Sequence, residues 1–269
     1  MIVVFTDLDG TLLDKNYSYE VAKPAIDLLL HLKIPIVLCS SKTRAEIEVY
    51  RKKIGINDPF ISENGGAIFI PRNYFDFPYD FTDEQEEYNV IELGTGYPVL
   101  RKKLEEIRKK TGCKIVGFGD MCAEEIARDC GLDLESAELA CKREYDEAFC
   151  IVDGNEKEVL RLIKEEGLNY TKGGRYYHLI GNNDKGKAVR ILTDLYIKKF
   201  GDIKTIGLGD SLNDLPMLEE VDIPVLVKKP DGRHDPDIKL ENIMKVDGIG
   251  PAGWRKAIEE IIGGKNDKE

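Results

Sequence analysis

The chain has 269 residues, of which 42% are hydrophobic and 33% are charged, and it carries a net charge of -11. This size and composition predict a globular protein with a large core, arranged as one large domain or two smaller ones. The acidic balance disfavours nucleic acid or an anionic membrane as a partner, so an anionic substrate would need local cations or a metal ion. No apolar run approaches the roughly 20 residues of a membrane span, and the first strand lacks the charged region of a signal peptide, so we expect a cytoplasmic protein.

The six cysteines contain no C-x-x-C pair and have no cluster of histidines beside them. This pattern disfavours a zinc site and predicts free thiols in a cytosolic chain of this size. The cysteines are Cys39, Cys113, Cys122, Cys130, Cys141 and Cys150.

The first predicted element is a buried strand that ends in two carboxylates. Residues 2–6 are apolar or β-branched, Asp7 and Asp9 follow, and Gly10 lets the backbone turn behind them. Acids that directly follow a strand of a parallel sheet lie at the edge where such sheets bind ligands. Asp also caps turns and helices after strands, and on this stretch alone that structural role is favoured.

A crossover helix and a second buried strand come next. Apolar residues recur at helical spacing over residues 19–32, and residues 34–39 form an apolar run of strand length. Ser40, Ser41, Lys42 and Arg44 then precede a predicted helix that ends at residue 54. Hydroxyls and cations between a strand and a helix N-terminus can bind an anion, although a plain N-cap with solvated cations explains the same residues.

Residues 60–71 predict a hairpin whose turn contains Asn64, Gly65 and Gly66. Asn64 could line a pocket, but turn chemistry explains these residues without a function.

Between about residues 75 and 183 the sequence pattern differs from that of the first strands and helices, and it predicts a separate α+β insertion. Within it, residues 99–110 predict a helix and residues 148–152 a strand.

A second hairpin is predicted within this insertion, over residues 168–180. Lys172 and Arg175 flank the two glycines of its turn, and they either reach a carboxylate or phosphate of a substrate or form a solvated edge. His178 lies on the returning strand among aromatic residues, where a structural role is favoured over a catalytic one.

After the insertion a second strand ends in carboxylates. A helix runs from about residue 185 to Phe200, and the buried strand 204–208 leads into Asp210, Asn213 and Asp214. Two such strand ends would meet at one crevice of a parallel sheet. Carboxylates gathered there are costly unless a hard cation lies among them, so the pattern predicts Mg²⁺.

Four segments, taken in this order and after these strands, resemble the motifs of the haloacid dehalogenase superfamily. They are residues 7–12, the loop at Ser40, Lys185-Gly186 and residues 209–214. The resemblance implies an α/β fold with a Rossmann-like parallel sheet core, formed by residues 1–80 and 184–269. The insertion, residues 81–183, resembles the α+β cap of the sugar-phosphatase branch. Residues 40–47, 63–66 and 250–254 are similar to the mannosyl-3-phosphoglycerate phosphatases within that branch.

The resemblance also implies a mechanism of phosphate ester hydrolysis. Asp7 would attack phosphorus and form an aspartyl-phosphate, and Asp9 would move protons. Ser40 and Lys185 would bind and neutralise the phosphoryl group. Mg²⁺ would be held by Asp7, the carbonyl of Asp9 and Asp210, with Asn213 or Asp214 in support. The substrate implied is mannosyl-3-phosphoglycerate, and the candidate donors to it are Lys42, Arg44, Asn64, Lys172 and Arg175.

Three other functions are compatible with parts of the sequence. A broader sugar-phosphate phosphatase would share every catalytic residue. A phosphosugar mutase of the same superfamily also begins with two acids at this spacing, but it would need a bisphosphate activator. A binding protein without turnover would have no need for intact Asp7, Asp9, Lys185 and Asp210, and their presence disfavours it.

Overall fold

The computed structural model describes residues 1–264, in which helices and strands alternate along most of the chain. The strands, in chain order, are β1 (Ile2–Thr6), β2 (Ile36–Leu38), β3 (Phe60–Ser62), β4 (Ala67–Pro71), β5 (Asp83–Glu84), β6 (Tyr88–Glu92), β7 (Lys114–Gly117), β8 (Glu147–Asp153), β9 (Asn169–Gly173), β10 (Tyr176–Ile180), β11 (Lys204–Gly209), β12 (Ile223–Lys228) and β13 (Met244–Ile249). The helices are α1 (Lys23–His31), α2 (Arg44–Ile54), α3 (Tyr97–Thr111), α4 (Ala123–Cys130), α5 (Leu134–Ala140), α6 (Glu156–Glu165), α7 (Lys185–Phe200), α8 (Leu215–Glu220) and α9 (Pro251–Gly263).

A five-stranded parallel sheet forms the centre of the molecule, with the strand order β13-β12-β11-β1-β2. Strands β1 and β11 are neighbours, and Thr6 lies opposite Leu208. The two strand ends that carry carboxylates therefore meet at the same edge of the sheet, as predicted. This arrangement confirms the α/β fold with a Rossmann-like parallel core.

Helices cover both faces of this sheet. Successive residues of a strand point to opposite sides, and β1 carries apolar residues on both of them. Val4 packs in the hydrophobic cluster that includes Trp254 of α9, whereas Val3 and Phe5 pack with residues of α7 and α8. The indole N–H of Trp254 donates to the hydroxyl of Thr6 at 2.9 Å, one residue before Asp7. The end of β1 is thus held by packing and by a hydrogen bond.

An antiparallel sheet, β7-β8-β10-β9, forms the centre of the cap. Helices α3 and α6 pack on one face, and the α4–α5 pair covers part of the other. The hairpin β9–β10 confirms the one predicted over residues 168–180. Strand β7, the helices α4 and α5, and strand β13 are elements that the sequence patterns do not predict.

A third sheet, β3-β4-β6-β5, bears on where the cap begins. The sequence assigns residues 83–92 to the cap, yet β6 pairs with β4 and β5 pairs with β6. Tyr88 packs edge-on against both Phe60 and Phe69, in a cluster that also contains residues of the central sheet. We therefore propose that the cap begins after Glu92 and not at residue 81.

The described part of the chain has no helix long and apolar enough to cross a membrane. All six cysteines are free thiols.

A buried carboxylate joins the cap to the core. Glu63, in the turn after β3, has no exposed surface, and its carboxylate accepts the backbone N–H groups of Glu144 and Tyr145 at 3.1 and 3.2 Å. Burial raises the pKa of Glu63 to about 8, against the opposing effect of the nearby Arg143. The folded protein therefore holds a proton on Glu63 in a pH range where the unfolded chain releases it.

This shift predicts a pH dependence of stability. Because the pKa of Glu63 rises from 4.5 to about 8 on folding, its contribution to the free energy of unfolding is greatest below pH 4.5 and declines as the pH rises toward 8. Glu63→Gln should make the measured decline of the free energy of unfolding between pH 4.5 and 8 shallower, as followed by urea unfolding over a series of pH values. The matched change of an exposed glutamate, Glu241→Gln, should keep the wild-type profile. A wild-type profile in Glu63→Gln would contradict the assignment.

Candidate active site

A cavity of about 460 Å³ lies between the carboxyl edge of the central sheet and the cap. Asp7, Asp9 and Asp210 line it from the core. Lys185 and Asp214 have no exposed surface and form a layer behind these acids. The predicted catalytic carboxylates and the predicted lysine therefore meet at one site.

The centre of the site is the ammonium group of Lys185. Its Nζ donates to Asp7 Oδ1 and to Asp214 Oδ1, both at 2.6 Å. Lys185 is the first residue of α7, and the Asp184 side chain caps this helix by accepting the N–H of Lys187. The helix cap thus fixes the lysine at the depth where it bridges two strand ends.

The pKa values of both Asp7 and Lys185 are raised in this buried cluster. Burial and the negative charge of Asp214 raise the pKa of Asp7, while Lys185 opposes the rise. Burial alone would lower the pKa of Lys185, but Asp214 and Asp7 raise it above its usual value. The lysine therefore stays protonated and is the main described group that favours the ionised form of Asp7.

The loop after β11 carries the second pair of acids. Asp214 Oδ2 accepts the backbone N–H groups of Asp210 and Ser211 at 3.0 and 3.1 Å, so it holds the loop closed. Burial and the charge of Asp214 raise the pKa of Asp210 to about 7. Gly10 adopts φ +80°, and a Cβ there would lie 2.8 Å from Asp210 Oδ2, so the two acidic loops approach too closely for a larger residue.

These acids fit a divalent cation. Asp7, Asp210 and Asp214 each offer a carboxylate oxygen, and the three oxygens lie within 4.8 Å of one another. The backbone carbonyl of Asp9 accepts no hydrogen bond within residues 1–264. An unused carbonyl beside buried carboxylates is the donor set that Mg²⁺ prefers. Because Asp214 already accepts from Lys185 and two N–H groups, Asp7 and Asp210 are the less engaged carboxylates.

Asp9 is the exposed member of the site, with 43% of its side chain accessible. Its Oδ2 lies 3.0 Å from Lys42 Nζ, which also contacts Glu46 at 3.2 Å and the ring of Tyr17. Burial alone would lower the pKa of Lys42, but Asp9 and Glu46 raise it above its usual value. A fixed ammonium therefore orients the carboxyl group that faces the cavity.

The predicted phosphate-binding loop lies beside these acids. Ser40 is fully buried, and its hydroxyl accepts the N–H of Lys42 at 3.3 Å. Ser41 is the member of the serine pair that lines the cavity. The Ser40 hydroxyl donates to no described acceptor, but Ser40 is not among the residues that line the cavity.

The five predicted substrate donors divide into two groups. Lys42 and Arg175 line the cavity, and Asn64 contacts Asn213 of the acidic loop at 3.3 Å. Arg44 instead contacts Gln85 and Glu144, and Lys172 contacts the hydroxyl and ring of Tyr177 on the helix-covered face of the cap sheet. The structure does not bring Arg44 or Lys172 to the cavity.

Three further cap residues at the cavity are not predicted by the sequence patterns. Arg143 and His178 line it, and the buried Asp146 lies beside both. His178 Nδ1 lies 2.9 Å from Asp146 Oδ1, and Asn64 Nδ2 donates to Asp146 Oδ2 at 2.7 Å. The alternation of β10 could have indicated the direction of His178, because it lies between Tyr177 and Leu179, which face the other side.

Comparisons with known proteins show the family of the chain. Residues 4–88 match the model of the haloacid dehalogenase-like hydrolase family. A Methanococcoides burtonii protein named glucosyl-3-phosphoglycerate/mannosyl-3-phosphoglycerate phosphatase is 56% identical over 98% of both chains. A Pyrococcus horikoshii protein named mannosyl-3-phosphoglycerate phosphatase is 41% identical over 84% of this chain and 90% of its own. A crystal structure from Thermoplasma acidophilum shares the fold, with a TM-score of 0.69, 19% identity, and coverage of 97% of this chain and 98% of that one. The chain therefore belongs to the haloacid dehalogenase-like hydrolases.

Proposed function

We propose that this protein hydrolyses the phosphate ester of mannosyl-3-phosphoglycerate or glucosyl-3-phosphoglycerate. The observation that carries the proposal is the Lys185 ammonium at 2.6 Å from Asp7, beside a cavity large enough for more than a phosphate group. The names of the relatives that are 56% and 41% identical to this chain support the substrate. The products would be the hexosylglycerate and inorganic phosphate.

In the first step the Asp7 carboxylate attacks phosphorus and the bond from phosphorus to the ester oxygen breaks. Asp9 gives its proton to that oxygen as the alcohol leaves. In the second step Asp9 takes a proton from water and the water oxygen attacks phosphorus. The bond from phosphorus to the Asp7 oxygen breaks, which releases inorganic phosphate and restores the Asp7 carboxylate. The exposure of Asp9 to the cavity and the burial of Asp7 fit this division of roles.

Two groups of the chain would stabilise the transferring phosphoryl group. Lys185 offsets the charge that Asp7 and the phosphoryl oxygens bring together, and it does so without solvent competition because it is fully buried. The hydroxyl of Ser40, which donates to no described acceptor, would donate to a phosphoryl oxygen. When bound by Asp7, Asp210 and the Asp9 carbonyl, with Asn213 or Asp214 in support, Mg²⁺ would neutralise further charge on the phosphate.

The alternatives differ in what they require of the cavity. A mutase must hold a bisphosphate activator, so phosphate release without one separates it from a hydrolase. A binding protein does not need a protonated lysine beside a buried carboxylate, and the contact of Lys185 with Asp7 therefore favours catalysis over binding alone.

The substrate is tested by phosphate release. We expect mannosyl- and glucosyl-3-phosphoglycerate to give the highest kcat/KM in a screen that includes simple hexose phosphates and a hexose bisphosphate. Release without a bisphosphate activator would exclude the mutase. Equal kcat/KM for hexose phosphates would reject the narrow substrate in favour of a broader sugar phosphatase.

Replacement of the nucleophile tests the catalytic assignment. Asp7→Asn should lower kcat by at least about 10⁴-fold, because the amide cannot form the phosphoryl intermediate. Circular dichroism should show an unchanged fold. The control Asp27→Asn, at an exposed carboxylate of α1, should retain the wild-type rate. Turnover by Asp7→Asn near the wild-type rate would contradict the assignment.

The metal is tested by removal and by a change of ligand. Chelation should abolish phosphate release and added Mg²⁺ should restore it. Asp210→Asn should raise the Mg²⁺ concentration needed for half-maximal release by more than about 10-fold, since a charged ligand is lost. Asp231→Asn, at an exposed loop carboxylate, serves as the control. Full activity after chelation would show that no bound divalent cation is needed.

A further inference from the structure

The cations that face the cavity differ in how completely their charge is compensated. Lys42 contacts Asp9 and Glu46, Arg175 contacts Asp129 at 2.6 Å, and Lys229 contacts Asp235 at 2.6 Å. The nearest carboxylate oxygens to Arg143 lie at 3.7 Å on Asp146 and 3.9 Å on Glu63, beyond hydrogen-bond distance. Nearby carboxylates, chiefly Asp146 and Glu63, still raise the pKa of Arg143 against the effect of burial. Among the described cavity cations, Arg143 is therefore the buried one that makes no direct hydrogen bond to a carboxylate.

The donors of Arg143 are only partly used. Its side chain is 6% exposed, its guanidinium lies over the ring of Phe118, and its Nε and Nη1 donate to the carbonyls of Ala140 and Ser41 at 3.2 and 2.9 Å. Nη2 makes no hydrogen bond within residues 1–264. A buried guanidinium loses water, so an unused N–H edge at a cavity favours an anionic ligand.

The surrounding residues hold Arg143 in position. Asp146, which is fully buried, lies beside Arg143 and also contacts His178 and Asn64. The bond from Arg143 to the Ser41 carbonyl keeps the guanidinium next to the loop that contains Ser40. The cation is thus fixed on the cap side of the phosphate-binding loop.

The proposed substrate has a second anion within reach of this position. In 3-phosphoglycerate the phosphate is on C3 and the carboxylate is C1, so a sugar joined through the free hydroxyl must be on C2. When the phosphate is at Asp7 and Ser40, the carboxylate is only a few bonds away. An arginine beside the next residue, Ser41, can contact it.

We propose that Arg143 binds the carboxylate of the substrate and determines specificity for phosphoglycerate esters over other sugar phosphates. This inference rests on the function proposed above. Arginine matches a carboxylate with two N–H groups in a fixed plane, so the pair discriminates by charge and by geometry. An analogue without the carboxylate would leave the Nη2 edge of the buried guanidinium without an acceptor, which costs affinity.

The test compares two substrates that differ only in this group. They are a hexosyl-3-phosphoglycerate and its reduced counterpart, in which the carboxylate is replaced by a hydroxymethyl group. We expect the wild-type protein to favour the carboxylate by about 10- to 100-fold in kcat/KM, the range of a charge-assisted hydrogen bond. Arg143→Gln should bring this ratio close to one, chiefly by raising KM for the carboxylate substrate. Arg143→Lys should give an intermediate ratio, because it keeps the charge and loses the planar pair of donors.

The ratio is measured on one preparation, so a partly unfolded variant does not affect it. Arg161→Gln, at an exposed cap arginine on α6, is the matched control and should keep the wild-type ratio. If Arg143→Gln does not fold, the wild-type and Arg143→Lys ratios decide the question.

Two results would overturn the inference, and they are distinguishable. If the wild-type protein releases phosphate from neither substrate, the proposed function fails and this inference fails with it. If it hydrolyses both equally well, or if Arg143→Gln lowers both rates by the same factor, the proposed function stands and Arg143 does not bind the carboxylate.

Discussion

One buried ammonium group holds the catalytic end of the central sheet together. Lys185 lies between Asp7 and Asp214, which follow neighbouring parallel strands, and it donates to both. Without a cation these carboxylates would repel each other in a region of low solvent access. Asp214 in turn orders the loop that carries Asp210 by accepting its N–H. The pair of acidic strand ends can therefore coexist at one crevice because the lysine at the start of α7 reaches between them.

The surroundings of Asp7 and Asp9 are consistent with the different roles proposed for these two acids. Asp7 is buried against Lys185, which favours its ionised form, whereas Asp9 faces the cavity and contacts Lys42. The cap then closes the cavity from the other side, and Glu63 joins it to the core through the backbone of residues 144–145. Arg143 lies next to that junction, so the group proposed to bind the substrate's carboxylate is fixed by the same contacts that fix the cap.

The catalytic half of the site could be predicted from the sequence because it follows from strand order. Asp7 and Asp210 each follow an apolar run. Parallel strands bring such ends to one edge of the sheet, whatever the length or structure of the segments that connect them. Lys185 is predicted by its place in a motif. In the structure it contacts both Asp7 and Asp214, so it lies beside the two acids as that motif implies. Strand β13 and the α4–α5 pair carry no comparable signal.

The residues that reach the cavity from the cap could not be predicted as completely, because the direction of each side chain decides whether it lines the cavity. Arg44 is two residues from Lys42, yet the first turn of α2 directs it toward Gln85 and away from the cavity. Lys172 lies opposite Tyr177 in the cap sheet, on the face that the cap helices cover. Arg143 lies in the connection between α5 and β8, where no periodic pattern indicates orientation. Only the packing of the cap onto the core brings it to Ser41.

In the proposed mechanism Asp7 takes the phosphoryl group before water does. The stereochemistry at phosphorus distinguishes this order from direct attack by water, and it can be followed during hydrolysis of a substrate that carries a chirally labelled thiophosphate, in isotopically labelled water. Attack by Asp7 followed by attack by water inverts the configuration twice, so we expect overall retention. Inversion would mean that water attacks the ester directly, and it would contradict the role of Asp7 as the nucleophile.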